Sequence, residues 1–143
     1  MPDNNNRMKR IYLLFTVFAL AITSFAFKAQ DSKLKASMER GKDEYEGICV
    51  PCHMDQGQGI PGVFPPLAKS DYLMADLNRS IKGMIEGQEG EIEVNGVKYN
   101  GAMPATGLDD QSIADVLNYV RNSWGNKGDY VTKEQVAKVR AGK

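Results

Sequence analysis

This 143-residue sequence contains two cysteines and one histidine, and all three stand together as Cys49-Val50-Pro51-Cys52-His53. Thiol, two spacers, thiol and imidazole is the pattern of covalent haem attachment. The spacing suits that chemistry, because two thiols add across the two vinyl groups on one side of a porphyrin and two intervening residues let the chain reach both. The histidine directly after the second thiol then swings beneath the iron as its proximal ligand. The rival chemistries ask for more than the chain offers. A thioredoxin-like pair needs a βαβ setting and has no use for the histidine. A zinc site needs four ligands, and three crowded into five positions cannot close round one ion. A Cys49–Cys52 disulfide would close a trivial loop and stabilise little.

Helices and loops must position this motif. A first helix is expected from about Ser32 to Ile48, where Leu34, Met38, Gly41, Tyr45 and Ile48 form one apolar stripe at helical spacing. From Val50 to Lys69 the glycines and prolines predict loop. Ser70 can cap a short helix through Ala75, and a second helix from about Asp76 to Glu86 would bury Leu77, Ile81, Met84 and Ile85 before Gly87 ends it. Asn95-Gly96 between Ile92-Glu93-Val94 and Val97-Lys98-Tyr99 predicts a β-hairpin with a two-residue turn. A loop from Asn100 to Gly107 follows. The last long helix is expected from about Asp110 to Ser123, capped by Asp109 or Asp110, with Ile113, Val116, Leu117, Val120 and Trp124 facing inward and Gly125 stopping it. Thr132-Lys133-Glu134-Gln135 is a capping box for a short terminal helix. The fold class is therefore all-α, three to four helices plus a small hairpin. Loops this long in so small a chain mean that they wrap something, and a thin core suits a cofactor that fills the centre.

The N-terminus reads as an export segment. Arg7, Lys9 and Arg10 precede Ile11 to Phe27, 17 residues interrupted only by Thr16, Thr23 and Ser24, and Ser24-Phe25-Ala26 is a usable cleavage site. The expected division is 1–27 as signal peptide or N-terminal membrane anchor, and 28–143 as the working domain. Cleavage and an uncleaved tether both stay open, since about 17 residues is the short edge of what spans a bilayer. Of 18 basic and 18 acidic residues, three and one lie in 1–27, so the remainder carries 15 and 17, a balance of −2. That leaves no electrostatic footprint for nucleic acid.

Taken in order, Gly41 and Tyr45, the haem motif, Phe64-Pro65-Pro66-Leu67, Tyr99-Asn100-Gly101-Ala102-Met103-Pro104 and Val116-Leu117-Asn118-Tyr119-Val120 resemble a class I bacterial cytochrome c over roughly Lys33 to Trp124. The stretches around Val94 to Gly101 and Asn118 to Gly125 are similar to cytochrome subunits or domains associated with nitrite reductases and periplasmic dehydrogenases. The resemblance implies the cytochrome c fold around one covalent haem c. The export segment implies a periplasmic or otherwise extracytoplasmic place, with Ile11–Phe27 as an inner-membrane anchor if it is retained.

Among seven methionines, Met103 stands apart. Met1 and Met8 belong to the export segment, Met38, Met74 and Met84 fall in helical segments, and Met54 adjoins His53 too closely to reach the opposite face of a haem. Met103 lies in a loop between Gly101 and Pro104, and the resemblance puts the family's distal methionine ligand there. It also implies that a proline carbonyl fixes the proximal histidine's tautomer; of the pair Pro65-Pro66, Pro65 matches that position. His53 and Met103 are thus the expected iron ligands, and Cys49, Cys52, His53, Met103 and Pro65 the cofactor-binding set. Such ligation saturates the iron and raises its potential, which suits a carrier that is not an enzyme, passing single electrons between a donor and an acceptor protein. A haem subunit of a larger respiratory or dehydrogenase complex is the alternative. An open-site peroxidase or gas sensor is disfavoured because no second histidine is present to act as acid or base. The exposed edge is expected between Gly59–Val63 and the Met103 loop.

Overall fold

The computed structural model describes residues 8, 9, 13 and 30–142. Apart from three single positions, the export segment lies outside them. The chain divides into two units, Met1–Lys35 and Ala36–Lys143, and the site belongs to the second. Among the described residues no helix is long and apolar enough to cross a membrane.

The first helix, α1, covers residues 30–48. Its buried face is Ser37, Gly41 and Tyr45, whereas Ile48 is 47% exposed. Gly41 and Tyr45 keep their expected places, but Ser37 is buried where Met38 was expected and Ile48 faces outward, because the buried contact on this face is polar. Ser37 sits against the buried Asp115 carboxylate, which also accepts from Arg40 Nε at 2.7 Å, Arg40 Nη2 at 2.8 Å and Gln111 Nε2 at 3.0 Å. A buried charge is tolerated only when paired and hydrogen-bonded in this way. Gly41 lies directly on the backbone of Asp115, where any side chain would collide.

Val50–His53 forms one helical turn, α2, where loop was expected. Pro51 stands in its first turn, where a missing N–H costs nothing, and Cys49 O accepts from the His53 N–H at 2.9 Å. Asp71–Ala75 is α3, capped by Ser70, and Leu77–Glu86 is α4, capped by Asp76 and closed at Gly87. Strands β1 (Glu91–Val94) and β2 (Val97–Asn100) pair antiparallel with Ile92 opposite Tyr99.

Helix α5 runs Asp110–Val120 with Asp109 as cap, three residues short of the expected end. Asn126 Nδ2 donates to Val120 O at 2.7 Å and to Leu67 O at 2.8 Å, so a side chain takes up the terminal carbonyl and the chain turns away. Trp124 follows in that turn, at φ +53°. Lys133–Arg140 is α6, with both hydrogen bonds of the Thr132/Gln135 capping box present. Helix α5 is buried on nearly every side, including Ile113, Ala114, Val116, Leu117 and Asn118. It packs on α4 and α6. Three rings close the junction of α1 with the end of α5: Tyr45 lies 5.5 Å from Tyr119 and 5.1 Å from Trp124, centroid to centroid. That trio stands directly before the Cys49–His53 turn.

Candidate functional site

Helix α1 delivers the thiols. Tyr45 is fully buried; its hydroxyl donates to Met54 O at 2.6 Å and its carbonyl accepts from the Cys49 N–H at 2.9 Å, so the haem-motif turn is tied at both ends to one residue. Cys49 and Cys52 are free thiols and half-buried. Burial, with Cys52 and Glu44 adding to it, pushes the Cys49 thiol up to about 11. A thiol held neutral is not the activated nucleophile of a redox pair.

His53 Nδ1 lies 3.0 Å from Pro65 O. A carbonyl only accepts, so Nδ1 carries the proton and Nε2 keeps its lone pair. Burial lowers the imidazole pKa from 6.5, against a smaller opposing effect of the Pro65 hydrogen bond, and the ring is neutral at neutral pH. The carbonyl that holds it is itself shaped by Gly59, whose N–H donates to His53 O at 3.0 Å. Gly59 has φ +62°, and a Cβ there would stand 2.8 Å from Pro65 O.

Across a cavity of about 1150 Å³, its open mouth included, stands Met103. Its position is set by α4. Met103 N–H donates to Gln88 O at 2.8 Å and Gln88 N–H donates to Met103 O at 2.9 Å. Thr106 donates to Met84 O through both its N–H, at 3.0 Å, and its hydroxyl, at 2.9 Å. Gly87, at φ +84°, lets the two segments approach: a Cβ there would be 2.7 Å from Met103 O. The loop that looked free in sequence is a clamped bridge. Met84 shares the cavity wall, so two methionines border it, one from a helix and one from the clamped loop.

The hairpin forms a further wall through Ile92, Val94 and Tyr99. It is latched to α3 by a reciprocal exchange in which Asp71 N–H donates to Asn95 Oδ1 at 3.1 Å and Asn95 N–H donates to Asp71 Oδ1 at 2.8 Å. Among the described residues no Asp, Glu, Lys or Arg lines the cavity. Cys49, Cys52, His53, Pro65 and Met103 all do.

The profile of the family described as Cytochrome c matches residues 38–124. This chain belongs to the cytochrome c family. It is 44% identical over 105 residues to cytochrome c-552 of Thermus thermophilus, covering 66% of this chain and 80% of that protein. It is 36% identical over 103 residues to the cytochrome c subunit of a quinone alcohol dehydrogenase of Gluconacetobacter polyoxogenes, covering 70% of this chain but 22% of that subunit. The cytochrome c subunit of a gluconate 2-dehydrogenase of Pantoea cypripedii is 30% identical over 121 residues, covering 78% of this chain and 27% of the subunit. As a cytochrome c the protein takes covalent haem c and carries electrons.

The cytochrome's cavity fits that group: its walls are mainly apolar, and the residues that carry two free thiols, an imidazole and a thioether line one space. Sequence reasoning singled out the five residues above and overlooked those that hold them. Gly59 and Gly87 read only as loop and helix stop, and Gln88 and Thr106 carried no signal, because they act through backbone groups or local hydrogen bonds.

Proposed function

We propose that this cytochrome is an extracytoplasmic one-electron carrier that attaches haem through Cys49 and Cys52 and ligates the iron with His53 Nε2 and Met103 Sδ. When bound, the haem supplies an iron that alternates between two oxidation states. The chain's own residues do the rest. Cys49 and Cys52 anchor one edge, Pro65 O holds the imidazole in one tautomer and orientation, and the Gln88 bridge holds Met103 in place. With neutral ligands on both sides and packed walls, little rearrangement accompanies a change of charge. The proposal assigns the chain no chemistry beyond electron transfer.

The observation that carries this reading is the His53 Nδ1–Pro65 O hydrogen bond at 3.0 Å, which frees Nε2 on a residue lining the same cavity as both thiols and a clamped methionine. Absorption spectroscopy of the haem-loaded variants tests it. Met103→Ala should abolish the methionine–iron charge-transfer band while Met84→Leu keeps it. Loss of the band in Met84→Leu, or rapid carbon monoxide binding by the reduced wild type, would overturn the assignment. The dehydrogenase relatives favour a second arrangement, in which the cytochrome works bound to a dehydrogenase or other respiratory complex. Co-purification from membranes distinguishes it from a freely diffusing carrier, and mass measurement of the mature chain decides between cleavage and a tether at Ile11–Phe27.

A further inference from the structure

The hairpin that walls one side of the cavity is fastened at its two extremities and interrupted between them. At its base, Gln88 and Met103 exchange backbone hydrogen bonds at 2.9 and 2.8 Å. The β1–β2 ladder resumes only where Glu91 stands opposite Asn100. Between base and ladder lie Glu89-Gly90 on one side and Gly101-Ala102 on the other, four exposed residues that pair with nothing across the ribbon. Gly90 has φ +91°, and a Cβ there would meet nothing within 4 Å; a Cβ on Gly101 would meet Val63 O at 3.7 Å. A ribbon bends most easily at such glycines. At the far end, the turn residue Asn95 is tied to Asp71 by the two reciprocal bonds of 3.1 and 2.8 Å. Both residues are exposed, so water competes for each bond. Among the described residues, α3 is the only helix that the hairpin packs against. That post is itself braced: Leu73 O accepts from Arg121 Nη1 at 2.7 Å and from Ser80 Oγ at 3.2 Å, and the Arg79 guanidinium lies 3.7 Å from the centre of the Tyr72 ring. Lys98 pairs with Glu91 at 2.7 Å within the hairpin and would travel with it.

We propose that Glu91–Asn100 is a flap, a movable wall of the cavity hinged at Gly90 and Gly101 and closed by the Asp71–Asn95 latch, which opens to admit water and small solutes while its base stays shut. The proposal goes beyond electron transfer but rests on reading the cavity as the haem site. Closure is favoured by the face that the hairpin turns inward, Val94 at 2% and Tyr99 at 6% exposure with Ile92 beside them, and opening uncovers the three together. Glu91, Glu93 and Lys98 are already in water, so an outward swing strips no charge of its solvent. The hinge lies beyond the Gln88–Met103 bridge, so Met103 keeps its place when the flap moves. The open and closed states therefore differ in access to the cavity and not in the groups that face it. Such a local opening breaks few bonds and exposes little surface compared with unfolding.

Native-state amide exchange of the haem-loaded protein, resolved by peptide mass, reads flap and core separately. Residues 91–100 should exchange faster than α5, with little dependence on low urea, as local openings do. Asn95→Gly suits the φ of +52° at that position but removes the side-chain acceptor, and Asp71→Ala removes the other one. Each should speed exchange in 91–100 about tenfold and leave α5 unchanged. Asp71→Asn, whose Oδ1 still accepts from the Asn95 N–H, should stay within about threefold of the wild type. Gly101→Ala stiffens the hinge and should slow the opening. Nitration by tetranitromethane gives a second reading: Tyr99 should react faster in step with exchange, while Tyr45, fully buried in the core, stays unmodified. Exchange of 91–100 that matches α5 in every variant would overturn the flap, because the hairpin would then open only with the whole fold. Faster exchange without faster nitration of Tyr99 would overturn it too, since the tip would fray over a closed wall. The methionine–iron band of the same samples keeps the two levels apart. Its absence in the wild type defeats the His53/Met103 assignment, while its presence beside a latch-insensitive hairpin defeats the flap alone.

Discussion

The imidazole of His53 and the thioether of Met103 are each held by groups that no side-chain chemistry would single out. Pro65 O and the Gln88 backbone are carbonyl and amide groups, so their identity is replaceable but their position is not. The glycines that permit those positions are therefore the sensitive points. Gly87→Ala places a Cβ 2.7 Å from Met103 O at a φ of +84°. It should destabilise the holoprotein by about 1–3 kcal/mol and weaken the methionine–iron band, as urea titration and absorption of the same sample would show. Gly59→Ala crowds Pro65 O in the same way. Weakening the hydrogen bond to Nδ1 lowers the basicity of Nε2, the proposed iron ligand, so the reduction potential should rise, measured by spectroelectrochemistry. An unchanged potential would mean that Pro65 O only positions the ring.

The contact of α1 with α5 brings the thiols to the cavity, and it is made through a glycine, three rings and one buried carboxylate. Asp115 is 3% exposed, while Arg40, its bidentate partner, is 55% exposed along its side chain. Arg40→Ala would leave a buried carboxylate to Ser37 and Gln111 alone and should cost about 2–3 kcal/mol, within what one-sided removal of a buried pair costs after solvent screening of the exposed partner. A fall in the urea midpoint with an unchanged slope is the expected signature. The cap of α5 gives a pH-dependent counterpart. Hydrogen bonding from the Ser112 N–H holds the Asp109 carboxyl below its ordinary 3.8. A carboxyl whose pKa is depressed by folding stabilises above the unfolded value and ceases to do so as pH falls through the lower folded one. Asp109→Asn should therefore flatten the part of the acid limb that lies below about pH 4 in thermal melts.

Core and cavity wall are made of the same residues. Tyr45, Leu73, Met84, Val116, Leu117 and Val120 belong to the buried cluster and also border the cavity. Filling the cavity is then part of folding, as for any ligand bound only by the native state. A Cys49→Ala/Cys52→Ala chain, unable to keep its haem covalently, should lose near-ultraviolet circular dichroism and expand while retaining much of its helical signal, the behaviour of a collapsed but unpacked state. A native-like near-ultraviolet spectrum without haem would show that the walls pack on their own. The hairpin closes one side of this shared core, and its Asp71–Asn95 latch joins residues 24 positions apart into one wall.

Much of this was legible in the chain before it folded. The Cys49–His53 motif, the caps at Ser70 and Thr132, the Asp109-Asp110 start of α5, the Asn95-Gly96 turn and the apolar spacing of α4 and α5 all depend on neighbours within a few positions, where local hydrogen bonds and periodicity suffice. The thin core and long loops already implied something to wrap. Other features depended on segments that meet only in three dimensions. The helical turn at Val50–His53, the burial of Ser37 on the α1 face, the early end of α5, the hydrogen bond that joins Pro65 O to His53 Nδ1 and the clamping of Met103 by Gln88 were of this kind. At the end of α5, at His53 and at Met103 a backbone carbonyl or amide, present at every position and therefore silent in sequence, is given its role by the distant group that packs against it; at Ser37 the buried Asp115 carboxylate does the same for a side chain.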